Sequence, residues 1–197
     1  ENGYDVRTEQ GSKKAWEHLK DFKPDIVTVS MEKGSAAQWS VMQQVNKDKE
    51  YQQKLEERRK ADGPVLDFIA DVMRWQSECR GLWVIEQSAG ALSWDQPQLL
   101  STLQLPFAGD VFLDMCTQGL MDPEGGELLK RKTRLRTNSR MIRDRFLFER
   151  CDVHHEGSGE HMVPPHKPIS GGARAPDGSY VQLSEWASRY TPLFAEN

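Results

Sequence analysis

The sequence predicts an α/β fold: a mainly parallel sheet with flanking helices and an irregular His/Gly/Pro-rich C-terminal tail. Three observations predict it. Short β-branched or apolar runs alternate with stretches of helical periodicity. The strand-like runs are short and apolar, as suits strands of a parallel sheet. From Cys151 onward His, Pro and Gly dominate.

Each element follows in order. In "SKKAWEHLKDF", 12–22, Ala15, Trp16, Leu19 and Phe22 share a helical face, with Ser12 as candidate N-cap and Pro24 as the stop. "DIVTVS", 25–30, reads as a buried parallel strand. Residues 40–62 are mostly charged or Gln and read as a solvated helix, broken at Gly63. Pro64 then starts a helix whose Val65, Leu66, Ile69, Val72 and Met73 face the core. Strands follow at 81–87 and 110–115, with a short helix near 96–104 between them. "TRLRTN", 133–138, reads as a further strand, and "SRMIRDRFLFERC" as a helix capped by Ser139. "LSEWASRY" near the end reads as a short amphipathic helix, and Cys79 as plain core. The expected organisation is one α/β domain over 1–150 and a Cys/His-containing extension over 151–197 packed on it.

Bulk properties narrow the function. The chain has 197 residues, enough for one domain with a real core. Six Trp and seven Phe argue against disorder. A net charge of −4 argues against a uniformly nucleic-acid-binding surface. No apolar stretch approaches the roughly 20 residues that span a bilayer, so no membrane partner is expected. The opening "ENGYDVRTEQ" is polar, acidic and without Met, as expected of a segment processed or cut from a longer chain. Three scattered cysteines do not make a disulfide scaffold, so an intracellular site, nucleus or cytoplasm, is expected.

Ligands of open α/β sheets bind beyond the carboxyl ends of the strands. Two strands here end in polar residues: Ser30, Met31, Glu32 and Lys33 after one, Glu86, Gln87 and Ser88 after the other. If the strands are neighbours, Glu32, Lys33 and Glu86 face one crevice. A carboxylate there serves as acid, base or reader of a base edge. The plainer alternative is that polar residues only mark where strands meet solvent.

The ordered series "DIVTVS-loop-WS", "WVIEQ", "DMCTQGL…KRKTRLRTNS" and "C…HH…H" resembles the cytosine-C5 DNA methyltransferase-like domains of phages and of retrotransposon-type polyproteins of protists such as dinoflagellates. The resemblance covers roughly residues 3–195 and implies a partial Rossmann-like, methyltransferase-type sheet. In that family a Cys after the first of these strands attacks carbon 6 of a flipped-out cytosine. Trp39 and Ser40 match the family's aromatic-Ser pair. The Cys position falls on Lys33 counted from the strand, or on Ala36 counted from Trp39, and neither replaces a thiolate. Glu86 matches the Glu that holds the cytosine ring, and Gln87 stands where Asn is usual. The family's Gly-rich turn for S-adenosylmethionine has no counterpart near Gly3 or Gly11, so that cofactor is implied only if an upstream segment completes the site.

The run "KRKTRLRTNSRMIRDR", 130–145, carries Lys132, Arg134, Arg136, Arg140 and Arg143 among its cations, with Asp144 its one acid. On a strand, Arg134 and Arg136 share a face. Such a patch neutralises phosphates of DNA or RNA, or else is a solvated face balanced by the acidic helix at 48–62. Thr133 and Asn138 match the family's Lys-Thr…Asn pattern. In "CDVHHEGSGEH", Cys151, His154 and His161, with Cys116 as a fourth donor, allow a zinc site. The alternative is surface histidines beside a buried helix-end cysteine.

These readings converge on a catalytically degenerate methyltransferase-like domain of a mobile-element polyprotein. It would bind nucleic acid or serve structurally, with other polyprotein segments as partners and no cofactor held by this chain, a zinc ion being the alternative its Cys and His residues allow. The alternatives are an active S-adenosylmethionine-dependent methyltransferase completed by an upstream segment, and a scaffold without ligand.

Overall fold

Alternation of strand and helix produces a mixed α/β structure. The computed structural model describes residues 4–31, 48–151, 166–188, 191–192 and 194. Helix α1 is Glu9–Phe22 and strand β1 is Ile26–Ser30. Helix α2 is Lys49–Ala61 and α3 is Gly63–Glu78, followed by β2, Leu82–Ser88. Helix α4, Pro97–Ser101, precedes β3, Gly109–Asp114. Strands β4, Leu128–Leu129, and β5, Lys132–Thr137, lead to helix α5, Arg140–Phe146. Strands β6, His166–Lys167, β7, Gly172–Arg174, and β8, Tyr180–Gln182, end at helix α6, Leu183–Trp186.

Among the described residues the largest sheet has four strands in the order β1-β2-β5-β3. Strands β1 and β2 are parallel, with Ile26 opposite Leu82 and Ser30 opposite Glu86. Two-stranded sheets pair β4 with β6 in parallel and β7 with β8 antiparallel. The sheets are therefore small and partly antiparallel. No helix of the described residues is long and apolar enough to cross a membrane.

The chain divides into two units, residues 1–109 with 136–140, and residues 110–135 with 141–197. Residues 110–135 thus fold with the C-terminal segment, where the sequence suggested a break at 150.

In the first unit α3 supplies the core. Its Leu66, Ile69, Val72 and Met73 pack with Trp83 and Ile85 of β2, and with Trp94 and Leu99. Its N-terminus carries Pro64 where no helical N–H is needed. Trp16 of α1 packs its ring against Phe68 and Trp75. Helix α1 begins earlier than its periodicity indicated: Thr8, not Ser12, caps it, accepting the Gly11 N–H at 3.0 Å. Gly11 is required there, because a Cβ would lie 2.1 Å from the Asp5 carbonyl oxygen. Helix α2 is solvated as expected; among its residues only Leu55 is buried. Two expectations fail. Among the described residues strand β1 lies at the edge of its sheet, with alternating exposure, rather than buried. Cys79 is exposed, because it caps the C-terminal end of α3 beyond the last core contact.

In the second unit Leu113, Met115, Leu120, Leu129, Leu135, Phe146 and Leu183 are buried. The hairpin-like segment before β4 is held by Asp122, which accepts the N–H groups of Gly126 and Glu127 and the Lys167 ammonium at 2.7 Å. Burial alone would raise the Asp122 carboxyl. The Lys167 hydrogen bond and charge and the two backbone donors outweigh it and hold the group below its ordinary 3.8. The resulting stability is fully present above that ordinary value and is lost as pH falls through the lowered folded value. The urea midpoint of the wild-type chain is therefore expected to drop on acidification below about pH 4. In Lys167→Met that acid-side drop is expected to shrink, and equal drops in the two proteins would refute the pairing.

Candidate metal centre and strand-end crevice

The first candidate site lies at the carboxyl ends of β1 and β2. The parallel register sets Ser30 opposite Glu86, and the Ser30 hydroxyl donates to the Glu86 carboxylate at 2.8 Å. Glu86 is buried, so its carboxylate is oriented rather than freely solvated. The neighbouring strands that the sequence reading required are thus present. Lys33, like Glu32, Ala36, Trp39 and Ser40, lies outside the described residues. Gln87, also buried, accepts from the Ser93 hydroxyl, and its amide nitrogen has no hydrogen-bond partner. A buried donor left unpaired is costly, and such groups mark either strain or a missing acceptor.

The basic run divides into structural and exposed members. Arg136, on β5, is fully buried. It donates to the Leu99 carbonyl at 2.6 Å and lies over the Trp94 ring, 4.9 Å from its centroid. This corrects the expectation of a phosphate contact: a guanidinium inside the core offers no donor to an outside ligand. Arg134 is partly buried, ion-paired with Asp110 and set over Phe112. Its charge is already matched by a carboxylate. Lys132 and Arg140 are exposed and Arg143 is half-buried. Thr133 is fully buried. Asn138 stands in for a strand residue: its side-chain oxygen accepts the Trp83 N–H at 3.0 Å and its amide donates to the Gly81 carbonyl at 2.9 Å.

The second candidate site gathers Cys116, Cys151 and His166, whose ligand atoms all lie within 4.8 Å of one another. Cys116 sits in the single 3₁₀ turn Met115–Gln118 that follows β3. Cys151 follows α5, and its Sγ lies 3.4 Å from His166 Nε2. His166 opens β6 and is placed by the parallel pairing of that strand with β4. Both cysteines are buried, Cys151 to 1% exposure. Burial first, then the hydrogen bond and charge of Cys151, push the Cys116 thiol up to about 12. Asp114 stands beside this group with no exposed surface. Its Oδ2 accepts the Cys151 N–H at 3.0 Å and faces Arg150 and Lys130 at 3.5 and 4.0 Å. Its Oδ1 is buried without a hydrogen-bond partner.

The structure thus brings together Cys116 and Cys151, as the sequence suggested. The histidine beside them is His166, whereas His154 and His161 lie outside the described residues. No local spacing announces His166. The only signal in the sequence is its place in the His/Gly/Pro-rich tail.

Comparison with protein-family models, with curated proteins and with solved structures finds no match to this chain.

Proposed function

We propose that the chain is a Rossmann-like, methyltransferase-type domain of a mobile-element polyprotein that no longer transfers methyl groups and binds nucleic acid. One observation carries the reading. Two parallel strands, β1 and β2, pair as far as Ser30 and Glu86, near their carboxyl ends, and Ser30 holds the Glu86 carboxylate in place. That is where open α/β sheets receive ligands. A held carboxylate accepts from the exocyclic amino group or protonated ring nitrogen of a base displayed in a single strand or loop. Loss of catalysis rests on the sequence, where Lys33 or Ala36 falls at the nucleophile position. Arg140 in the first unit, and separately Lys132 and Arg143 in the second, supply cations for phosphates.

Fluorescence anisotropy of labelled single- and double-stranded DNA and RNA across a salt series tests the reading. Binding is expected to weaken as salt rises, with the log–log slope set by the phosphates neutralised. Arg140→Glu, at an exposed position, is expected to lower affinity several-fold, with its urea midpoint measured alongside to separate lost binding from lost fold. Glu86→Gln is expected to change the preference among bases more than the salt slope. No binding at low salt would sink the proposal in favour of a scaffold. Transfer of labelled methyl groups from S-adenosylmethionine to any of these nucleic acids would overturn the loss of catalysis.

A further inference from the structure

We propose that Cys116, Cys151 and His166 bind a single zinc ion that ties together the segments following β3, following α5 and forming β6. The site is independent of the strand-end crevice and of nucleic-acid binding.

Geometry comes first. Zinc holds thiolate sulfur at about 2.3 Å and imidazole nitrogen at about 2.0–2.1 Å, so tetrahedral ligand atoms sit about 3.5–3.8 Å apart. Cys151 Sγ and His166 Nε2 are already 3.4 Å apart, and Cys116 Sγ lies within 4.8 Å of both. Little rearrangement separates this cluster from a coordination shell. Chemistry comes second. Two sulfurs and an imidazole select zinc over the hard cations magnesium and calcium, which prefer oxygen.

The surroundings fit a bound ion, held by these three donors with a water completing the tetrahedron, rather than a reactive thiol. A Cys–His pair at this distance is also the arrangement of a nucleophile and its base. Cys151, at 1% exposure, is out of reach of a substrate. The buried Asp114 carboxylate gives an independent sign. It fixes the Cys151 backbone through Oδ2 while its Oδ1 is left without a partner. An anion kept dry beside two thiols is unfavourable alone and is relieved by a nearby cation, as Lys130 and Arg150 relieve it in part. Asp114 is a positioning residue here, orienting Cys151 through its peptide N–H in the manner of outer-shell groups around metals. The three donors come from distant parts of the sequence, and β6 and β4 are two residues each. A tie of this kind is what so short a strand pair needs, because metal binding adds directly to folding free energy.

The experiment uses the whole chain, expressed with added zinc and purified without chelator, with metal measured by mass spectrometry. About one zinc per chain is expected in the wild type and in Cys79→Ser. Cys116→Ser, Cys151→Ser and His166→Ala are expected to lose it, His166→Cys to keep it, and Asp114→Asn to bind roughly 10–100-fold more weakly. To keep the test independent of how the ligand variants fold, cobalt is also substituted into the wild type. A visible spectrum of tetrahedral cobalt with sulfur-to-metal charge transfer from two thiolates is expected. Folded wild type without zinc and without that cobalt spectrum would overturn the site. So would a Cys116–Cys151 disulfide in freshly purified protein, or zinc retained equally by Cys116→Ser, Cys151→Ser and Cys79→Ser.

Discussion

Arg136→Ala is expected to destabilise the chain by about 3 kcal/mol, measured by urea unfolding, although it removes a member of the basic run. The Arg136 guanidinium donates to the Leu99 carbonyl and, at 3.4 Å, to the Thr102 hydroxyl, and it lies over Trp94 in the first unit's core. A hydrogen bond to a charged group contributes about 1.5–3 kcal/mol, and a desolvated cation over an aromatic ring about 2. Against this stands the cost of keeping a charge out of water, which a neutral residue escapes. Arg136→Met, which keeps most of the stem volume, is therefore expected to cost less, about 1–2 kcal/mol. A Met variant as stable as wild type would mean that desolvation cancels the contacts. A practical consequence follows for binding studies: Arg136→Glu would place a carboxylate against the Leu99 carbonyl and lose binding by unfolding, not by removing a phosphate contact.

Asp114→Ala is the second large effect, expected to cost about 2–3 kcal/mol in metal-free protein. The carboxylate has no exposed surface and holds the Cys151 N–H, so its removal leaves that buried donor unpaired. The cost stays below that of breaking a fully buried ion pair, because Lys130 and Arg150 retain 27% and 31% side-chain exposure and can turn to water. Asp114→Asn, which keeps an oxygen at the same place, is expected to cost less than Asp114→Ala. Guanidinium unfolding with chelator present would measure both. An Asp114→Ala midpoint equal to that of wild type would show that the peptide N–H needs no such acceptor.

Local pattern made part of this molecule legible. The apolar face of α3, the solvated α2 and the alternation of strand and helix all follow from side-chain periodicity, which a single segment carries by itself. The pairing of β1 with β2 stood in the sequence only as a condition; the structure meets it and sets Ser30 opposite Glu86. What escaped was set by distant parts of the chain. The i, i+2 pattern marks Arg134 and Arg136 as a pair, but Arg136 is enclosed by Leu99 and Trp94, residues distant in sequence that no local pattern links to it. The thiol pair was visible as two cysteines following predicted elements. His166 was not, because it reaches them through a two-residue parallel pairing with no turn signal and no fixed spacing. Cys79 looked like core because its helical neighbours are apolar, and helix ends protrude where periodicity says nothing.

The first unit is closed by residues 136–140, which arrive well after its other part ends at residue 109. Thr137 donates to the Trp83 carbonyl, Asn138 satisfies both Trp83 and Gly81, and Arg136 seals Leu99. A growing chain on the ribosome therefore makes α3 and β2 long before the peptide groups at the start of β2 find these partners. During that interval one side of β2 is an open edge, available to any passing strand. Synthesis rate across 110–140 then sets how long the nascent unit is exposed to mispairing, and slowing translation there should lower soluble yield without altering the finished protein.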